Sequence, residues 1–378
     1  MKRVIIFVVL VLLLQPLACS RKPRRIVIGV ALTESYHPAV QLAVKEINAS
    51  GGISGVPVEL VGLDWKVVSH FNSEDVLRWA ARFSEEKDLI TVIGHSDSTS
   101  TLSAAAFYNQ HKVPQIVTIA TNPAITNIGD WTYRLCLSDA AQGPALAEYA
   151  VKDWGKRRIA VFYVNDDYGR GLAQLFEKRV GELGAEIVSS VMHRNSLEKT
   201  DEALIRSSLA DLKKKGEPNL VVLFQRTGAA QFTLKAIREA GLGSSILAGD
   251  SISPASFARA NVELMQGVRV SQFFQPRSDD ARTTQFLKHF REFAGRDADY
   301  GEAFAYDAVY LVRDAALRGG PSREGVKSYL DRLIREKTQE TGVAGTYVLG
   351  PDHDARRSLY IVDVRNGVQT FLKTLRVD

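Results

Sequence analysis

A chain of 378 residues with 45% hydrophobic content can bury a large core, enough for two lobes of ordinary domain size. Its 48 Lys and Arg against 43 Asp and Glu leave a formal charge of +5; the basic residues are scattered, which excludes the clustered face that nucleic acid requires. Two cysteines, Cys19 and Cys136, exclude a disulfide framework, so an exported domain of this sequence must rely on its own core.

The first residues follow a secretory pattern: Lys2 and Arg3, an unbroken apolar run over 4–14, then Leu17-Ala18-Cys19. That run is too short to cross a hydrocarbon layer of about 30 Å, so residues 1–18 are expected to be a signal peptide rather than a membrane anchor. Leu17-Ala18-Cys19 resembles a bacterial lipobox, in which Cys19 would be lipidated and become the first residue. Pro16 stands where the usual pattern has Leu, and cleavage without lipidation is the alternative. Residues 19–25, with the basic run over 21–25, would then form a tether beside the lipid headgroups, and Ser20 resembles a sorting signal for lipoproteins not retained at the inner membrane. With Cys19 lipidated, Cys136 has no partner and is expected as a buried thiol on a strand.

From residue 25 short apolar runs alternate with amphipathic stretches, the sign of repeated βαβ units. The pattern predicts strands over 26–32, 58–63, 89–93, 115–119 and 133–137, with helices over 38–49, 73–85 and 98–111. Gly51-Gly52 closes the first helix and Ser54-Gly55 turns into the next strand. A second run of the same rhythm predicts helices over 140–154, 171–183, 201–215 and 229–240, and strands over 159–164, 186–192, 220–224 and 245–248. Short βα connections favour parallel sheets covered on both faces, so the expected fold class is α/β with two Rossmann-like lobes. A third block carries a strand over 268–274, helices over 280–293, 303–317 and 322–335, then strands over 345–349, 359–364 and 368–372. Asn366-Gly367 is a hairpin signal between the last two.

Residues 93–126, IGHSDSTSTLSAAAFYNQHKVPQIVTIATNPAIT, place two strand ends close together, each followed by a hydroxyl-rich turn, at 96–101 and at 120–122. In an open α/β sheet ligands sit outside the carboxyl ends of the strands, where helix N-termini favour anions. Ser98, with Thr99 beside it, can cap the helix and still present a hydroxyl and an amide to a carboxylate; the alternative is that both are only cap and turn residues. Enzyme signatures are missing. The His residues are dispersed, with no HExxH, no paired Cys for zinc, no GxSxG elbow and no phosphate loop, so no catalytic residue, metal or cofactor is expected. Gly241-Leu242-Gly243 reads as a helix C-cap, and Asn165-Asp166-Asp167 as a solvated turn rather than a calcium loop.

VIGHSDST at 92–99, VPQIVTIATNPAIT at 113–126, INASGGISGVPVELVGLD at 47–64, RLCLSDAAQG at 134–143, RRIAVFYVNDDYGRGLA at 157–173 and AYDAVYLV at 305–312 follow one another in order. Together they resemble the type I periplasmic solute-binding proteins of ABC transporters, in the leucine/isoleucine/valine-binding (branched-chain amino acid) branch. The resemblance implies two discontinuous lobes, 26–138 with 271–340 and 139–270 with 341–378. Three crossings near Leu137, Val270 and Thr341 would act as the hinge. It implies a monomeric, lipid-anchored protein of the cell envelope that closes around a small ligand, an amino acid or related zwitterion, and delivers it to an ABC permease. A ligand sensor of the same fold, signalling through an envelope partner, is the alternative.

On the matching positions, Ser98 and the amide and hydroxyl of Thr121 would receive a carboxylate. The Ala120 carbonyl and the Asp250 carboxylate would take an ammonium, and Tyr168 would close from the second lobe. Asp97 is expected to point away to solvent, and Ser253 before Pro254 fits a helix cap better than Asp250 does. Where the family has a glycine-containing loop after the first strand, this chain has Thr33-Glu34-Ser35-Tyr36-His37. Glu34 and Tyr36 are therefore expected near the side-chain pocket, with Tyr300, Glu302 and Phe304 as further wall residues. A polar or non-amino-acid ligand stays open.

Overall fold

The computed structural model describes residues 25–64, 73–276 and 279–377. The expected signal peptide and Cys19 lie outside the described residues. Arg25, the last residue of the expected tether, pairs with Glu59 at 3.3 Å and with Glu86 and Asp88 at 2.9 Å each, so its charge is directed at the protein body rather than at headgroups.

The first sheet contains β1 (Ile26–Ala31), β2 (Val58–Val61), β3 (Leu89–Gly94), β4 (Gln115–Val117) and β5 (Thr132–Arg134), all parallel, in the order β2-β1-β3-β4-β5. β1 and β3 are buried at every position, which is why both read as unbroken apolar runs. Helices α1 (His37–Ala49), α2 (Ser73–Glu85) and α3 (Ser98–Gln110) connect these strands. The chain then enters the second sheet through α4 (Asp139–Glu148). There β6 (Arg158–Val164), β7 (Glu186–His193), β8 (Leu220–Phe224), β9 (Ser245–Ala248) and β10 (Val268–Gln272) run parallel. They are joined by α5 (Asp167–Glu182), α6 (Lys199–Lys215), α7 (Thr227–Glu239) and the short α8 (Ala255–Ala260) and α9 (Val262–Met265).

After β10 the chain returns to the first sheet as α10 (Ala281–Ala294), α11 (Tyr300–Gly319) and α12 (Arg323–Glu336), where α11 packs on α1 and α12 on β3. β11 (Gln339–Gly342), β12 (Gly345–Leu349) and β13 (Ala355–Arg356) make a small antiparallel sheet. β14 (Leu359–Arg365) and β15 (Val368–Leu375) then complete the second sheet, in the order β15-β14-β10-β9-β8-β6-β7. The hairpin between them turns on Asn366 and Gly367, at φ 51° and 73°, the two left-handed positions that this dipeptide suits.

Several element starts differ from those expected, each because a side chain caps earlier. α5 begins at Asp167 because Asp166 accepts the Gly169 amide at 2.8 Å; the stretch expected as a solvated turn is a helix start, with Asp166 buried. α11 begins at Tyr300 because Asp299 and Glu302 form a capping box. Cys136 is a buried free thiol, pushed up by burial, but it lies just past β5 in the crossing rather than on the strand.

Two buried guanidiniums bind the crossings together. Arg134, at the end of β5, is bidentate to Asp354 at 2.7 and 2.8 Å and donates to the carbonyls of Asn122 at 2.7 Å and Ala120 at 3.3 Å. Arg357 donates to the carbonyls of Leu135 at 2.8 Å and Ala344 at 2.7 Å, beneath the ring of Phe304. Breaking a buried pair leaves an uncompensated charge in the interior. Asp354→Ala is therefore expected to lower the unfolding free energy by about 3–5 kcal/mol, read as a fall in the urea midpoint. A loss no larger than that of a surface pair, about 1 kcal/mol, would show that the hinge does not depend on this contact.

Candidate functional site

The site is assembled where strand ends of both sheets face each other. Ser98, Ala120, Thr121, Tyr168, Asp250 and Tyr300 all line one cavity of about 20 Å³. β3 leads into it through Gly94, at φ +134°, where an added Cβ would lie 2.4 Å from the Ala31 carbonyl oxygen; only glycine fits that approach.

Asp97, not Ser98, is the N-cap of α3: its carboxylate accepts the Ser100 amide at 2.8 Å. Expected to face solvent, Asp97 is only 8% exposed and lines the cavity. The shift of one residue follows from cap geometry, which needs an acceptor three residues ahead of the amide it serves. Ser98 then falls at the first helical position. Its hydroxyl accepts the Asn122 amide at 3.3 Å and keeps its own proton to donate.

Two expected ligand contacts are already engaged. The Thr121 hydroxyl donates to Asp139 Oδ2 at 2.9 Å, so its proton is taken and only the main chain remains to donate to a carboxylate. The Ala120 carbonyl accepts from Arg134 at 3.3 Å and from the Cys136 thiol at 3.5 Å. An ammonium there would have to share an oxygen with a buried guanidinium.

Asp250 opens a short 3-10 turn after β9 and is 3% exposed. Its Oδ1 accepts from Gln142 Nε2 at 2.8 Å and from the Tyr168 hydroxyl at 3.1 Å, and Gln142 Nε2 also donates to Asp139 Oδ1 at 3.2 Å. A continuous chain therefore runs from Thr121 through Asp139, Gln142 and Asp250 to Tyr168. Burial pushes both carboxyls up, Asp139 well above the ordinary carboxylate range. Among the described residues neither is in an ion pair.

Arg226, just before α7, carried no motif and was missed. Its Nε and Nη2 lie 3.2 and 3.0 Å from Asp166 Oδ2, and the guanidinium sits 5.0 Å from the ring centre of Tyr168. Burial works against its charge, but Asp166 and Asp97 outweigh burial and hold it cationic. In return it offsets part of the burial penalty on Asp97.

The remaining expected residues lie elsewhere. Glu34 is exposed, and Tyr36 packs instead on Gly301, where an added Cβ would meet its ring at 2.3 Å. Glu302 is committed to Arg296 at 2.7 Å and to the Asp299 amide at 3.0 Å, and Phe304 lies under Arg357 at the hinge. Thr99 accepts the Asp167 amide at 3.4 Å across the lobes. Ser253 does not cap α8; Pro254 holds that position without a side-chain bond. Among the described residues no group of His, Cys, Asp and Glu is placed to hold a metal ion.

Two parallel-sheet lobes, crossed three times by the chain and facing each other over a small polar cavity, define a two-lobed solute-binding protein. The family model described as periplasmic binding protein matches residues 29–369, and the chain belongs to that family, a solute-binding class that works outside the cytoplasm. It is similar to the Leu/Ile/Val-binding protein homolog 1 of Brucella abortus, at 30% identity over 284 residues, 74% of this chain and 72% of that protein. A solved ABC transporter substrate-binding protein from Desulfitobacterium hafniense in complex with Leu is 26% identical, with a TM-score of 0.76 over 92% of this chain and 100% of that one. The branched-chain amino acid transporter substrate-binding protein of Streptococcus pneumoniae, in complex with isoleucine, shares the fold at 23% identity, with a TM-score of 0.81 over 94% of this chain and 100% of that one.

Asn122 Nδ2 donates to the Asp167 carbonyl at 2.6 Å, a bond that joins the lobes without lining the cavity. Losing one such bond is worth about 0.5–1.5 kcal/mol. Asn122→Ala is expected to weaken ligand binding by roughly two- to tenfold, with the order of preference among ligands unchanged, in calorimetric titrations. A changed order would place Asn122 in the site itself.

Proposed function

We propose that the protein captures a small amino acid between its lobes and hands it to an ABC permease, as a monomer held at the outer face of a membrane through Cys19. The lobes that open and close are 26–138 with 271–340 and 139–270 with 341–378. No catalytic step is assigned. The observation that carries the reading is the pair of buried carboxyl groups, Asp250 and Asp139, bridged by Gln142 and, among the described residues, in no direct ion pair. An ammonium brought in by the ligand would compensate them. The ligand carboxylate would meet the Ser98 hydroxyl and the N-terminal amides of α3, where the helix dipole favours an anion. Arg226 keeps Asp97 from presenting a bare negative charge to that carboxylate. Relatives named for Leu, Ile and Val, and structures holding Leu and isoleucine, support the amino-acid class.

Closure follows from the same contacts. A ligand bound at Ser98 on the first lobe shifts the open–closed equilibrium only through what it adds on the second, and here that is Asp250 with Tyr168 behind it. Asp250→Ala is expected to cost on the order of 3 kcal/mol, about a hundredfold in affinity, because the ligand ammonium is left buried without a partner. Calorimetry against a panel of amino acids reads it, and an affinity within about twofold of the native protein's would remove the ammonium assignment.

The pH dependence has a definite sign. Burial raises Asp250 in the free protein, so its protonated form stabilises the closed, empty state at low pH, and that stabilisation is lost as pH rises through the raised value. A cationic ligand demands the ionised form. Affinity therefore falls as pH drops through the raised pKa of Asp250, and binding just below it releases a proton. Titrations in buffers of different ionisation enthalpy should detect that proton in the native protein and a flatter profile in Asp250→Asn.

A further inference from the structure

The inner cavity, at about 20 Å³, has room for little more than one water, so it can take the polar ends of a ligand but not a side chain. A second chamber of about 210 Å³ adjoins it, between α8 of the second lobe and the 297–300 turn of the first. Tyr300 lines both spaces, and one loop spans them: Ser251 faces the inner cavity and Ser253 the outer chamber.

The chamber holds two uncommitted donors. Ser253 is 2% exposed and its hydroxyl has no hydrogen-bond partner, an uncommon condition for a buried polar group. Its carbonyl accepts from Gln369, so the residue is held in place while the hydroxyl is left over. Arg259 reaches the chamber from α8 and, among the described residues, is in no hydrogen bond or ion pair; it acts on Asp299 only at longer range. The other charges there are satisfied. Arg291 pairs with Asp297, and Asp299 accepts the Ala255 amide at 3.0 Å while capping α11.

We propose that this chamber receives the far end of the ligand's side chain, and that the ligand is an α-amino acid whose side chain runs for several atoms and ends in a carbonyl oxygen, as carboxamide or carboxylate. The terminal oxygen accepts from the Ser253 hydroxyl and from Arg259, and the ring of Tyr300 turns along the stem to join the two spaces. A purely aliphatic side chain would leave the Ser253 hydroxyl buried and unpaired. The proposal rests on the inner cavity holding the α-amino and α-carboxyl groups, as argued above.

The test is calorimetric titration of the extensively dialysed protein with alanine, leucine, glutamine and glutamate, repeated on Ser253→Ala and Arg259→Ala after circular dichroism has confirmed that both fold. Glutamine or glutamate is expected to bind at least tenfold more tightly than leucine or alanine, and each variant to cut that preference over alanine at least fivefold. A larger effect of Arg259→Ala on glutamate than on glutamine assigns the terminal group as a carboxylate, and equal effects assign a carboxamide. Leucine binding tightest, or a preference that neither variant moves, overturns the chamber and leaves the inner site standing. No binding of any of the four amino acids to the native protein overturns the inner site, and the chamber with it.

Discussion

Charge balance at the junction of the lobes is the constraint on which the rest of this structure depends. Three carboxylates, Asp97, Asp139 and Asp250, are buried there, with one guanidinium, Arg226, lining the cavity. Arg226 is shared between Asp97 and Asp166, and so has little to give to the pair on the other side. Amides and hydroxyls serve Asp139 and Asp250 well as hydrogen-bond donors, yet a hydrogen bond does not replace the solvation that an ion loses on burial. Burial therefore favours their neutral forms in the empty site, and a bound cation would favour the ionised ones.

The hinge shows the opposite solution to the same problem. Arg134 is as deeply buried as Asp250, but it meets a bidentate carboxylate and two carbonyls, so that every side of the guanidinium is engaged. Arg357, also buried, has carbonyls and aromatic faces in place of a direct carboxylate. Rigid, satisfied charge at the crossings and unsatisfied charge in the cleft are complementary. In the proposed closure the first would hold the axis about which the lobes move, and the second would give a ligand something to change.

Much of the fold was legible because its strands are buried on both faces and its helices carry a single apolar side. The βα rhythm therefore survives in the sequence wherever a strand is long enough to show it. β11 and β13 escaped notice because they are short and partly polar, and their pairing depends on neighbours that only the folded chain supplies. At the site, Ser98 stood out at a hydroxyl-rich strand end, whereas Thr121, Tyr168 and Asp250 came from the resemblance; the four line one cavity. What those residues do was less readable. In Asp97-Ser98-Thr99 each residue type is a competent cap, so a one-residue choice of register decided which side chain is spent on the cap. The engagement of the Ala120 carbonyl hangs on Arg134, which is fixed by Asp354, 220 residues further along the chain. Arg226 follows a strand and precedes a helix, like many solvated arginines, and only the approach of Asp97 and Asp166 from separate loops gives it a role.

Opening and closing can then be seen as a contest between two terms of known sign. The hydrogen bonds from Asn122 and Asp167 across one side of the cleft, and from Ala255 to Asp299 across another, need no ligand and favour closure. Burial of Asp139 and Asp250 opposes closure, since opening the lobes returns water to the carboxylates. Each bond contributes about 0.5–1.5 kcal/mol, while a buried carboxylate left uncompensated costs several kcal/mol where it is ionised; burial shifts both groups toward the neutral form. A ligand cation at the proposed site would remove that opposing term and leave the bonds to act. In this arrangement the same two aspartates that would recognise the ammonium also set how far the empty protein stays open, which ties affinity to conformational switching through a single pair of side chains.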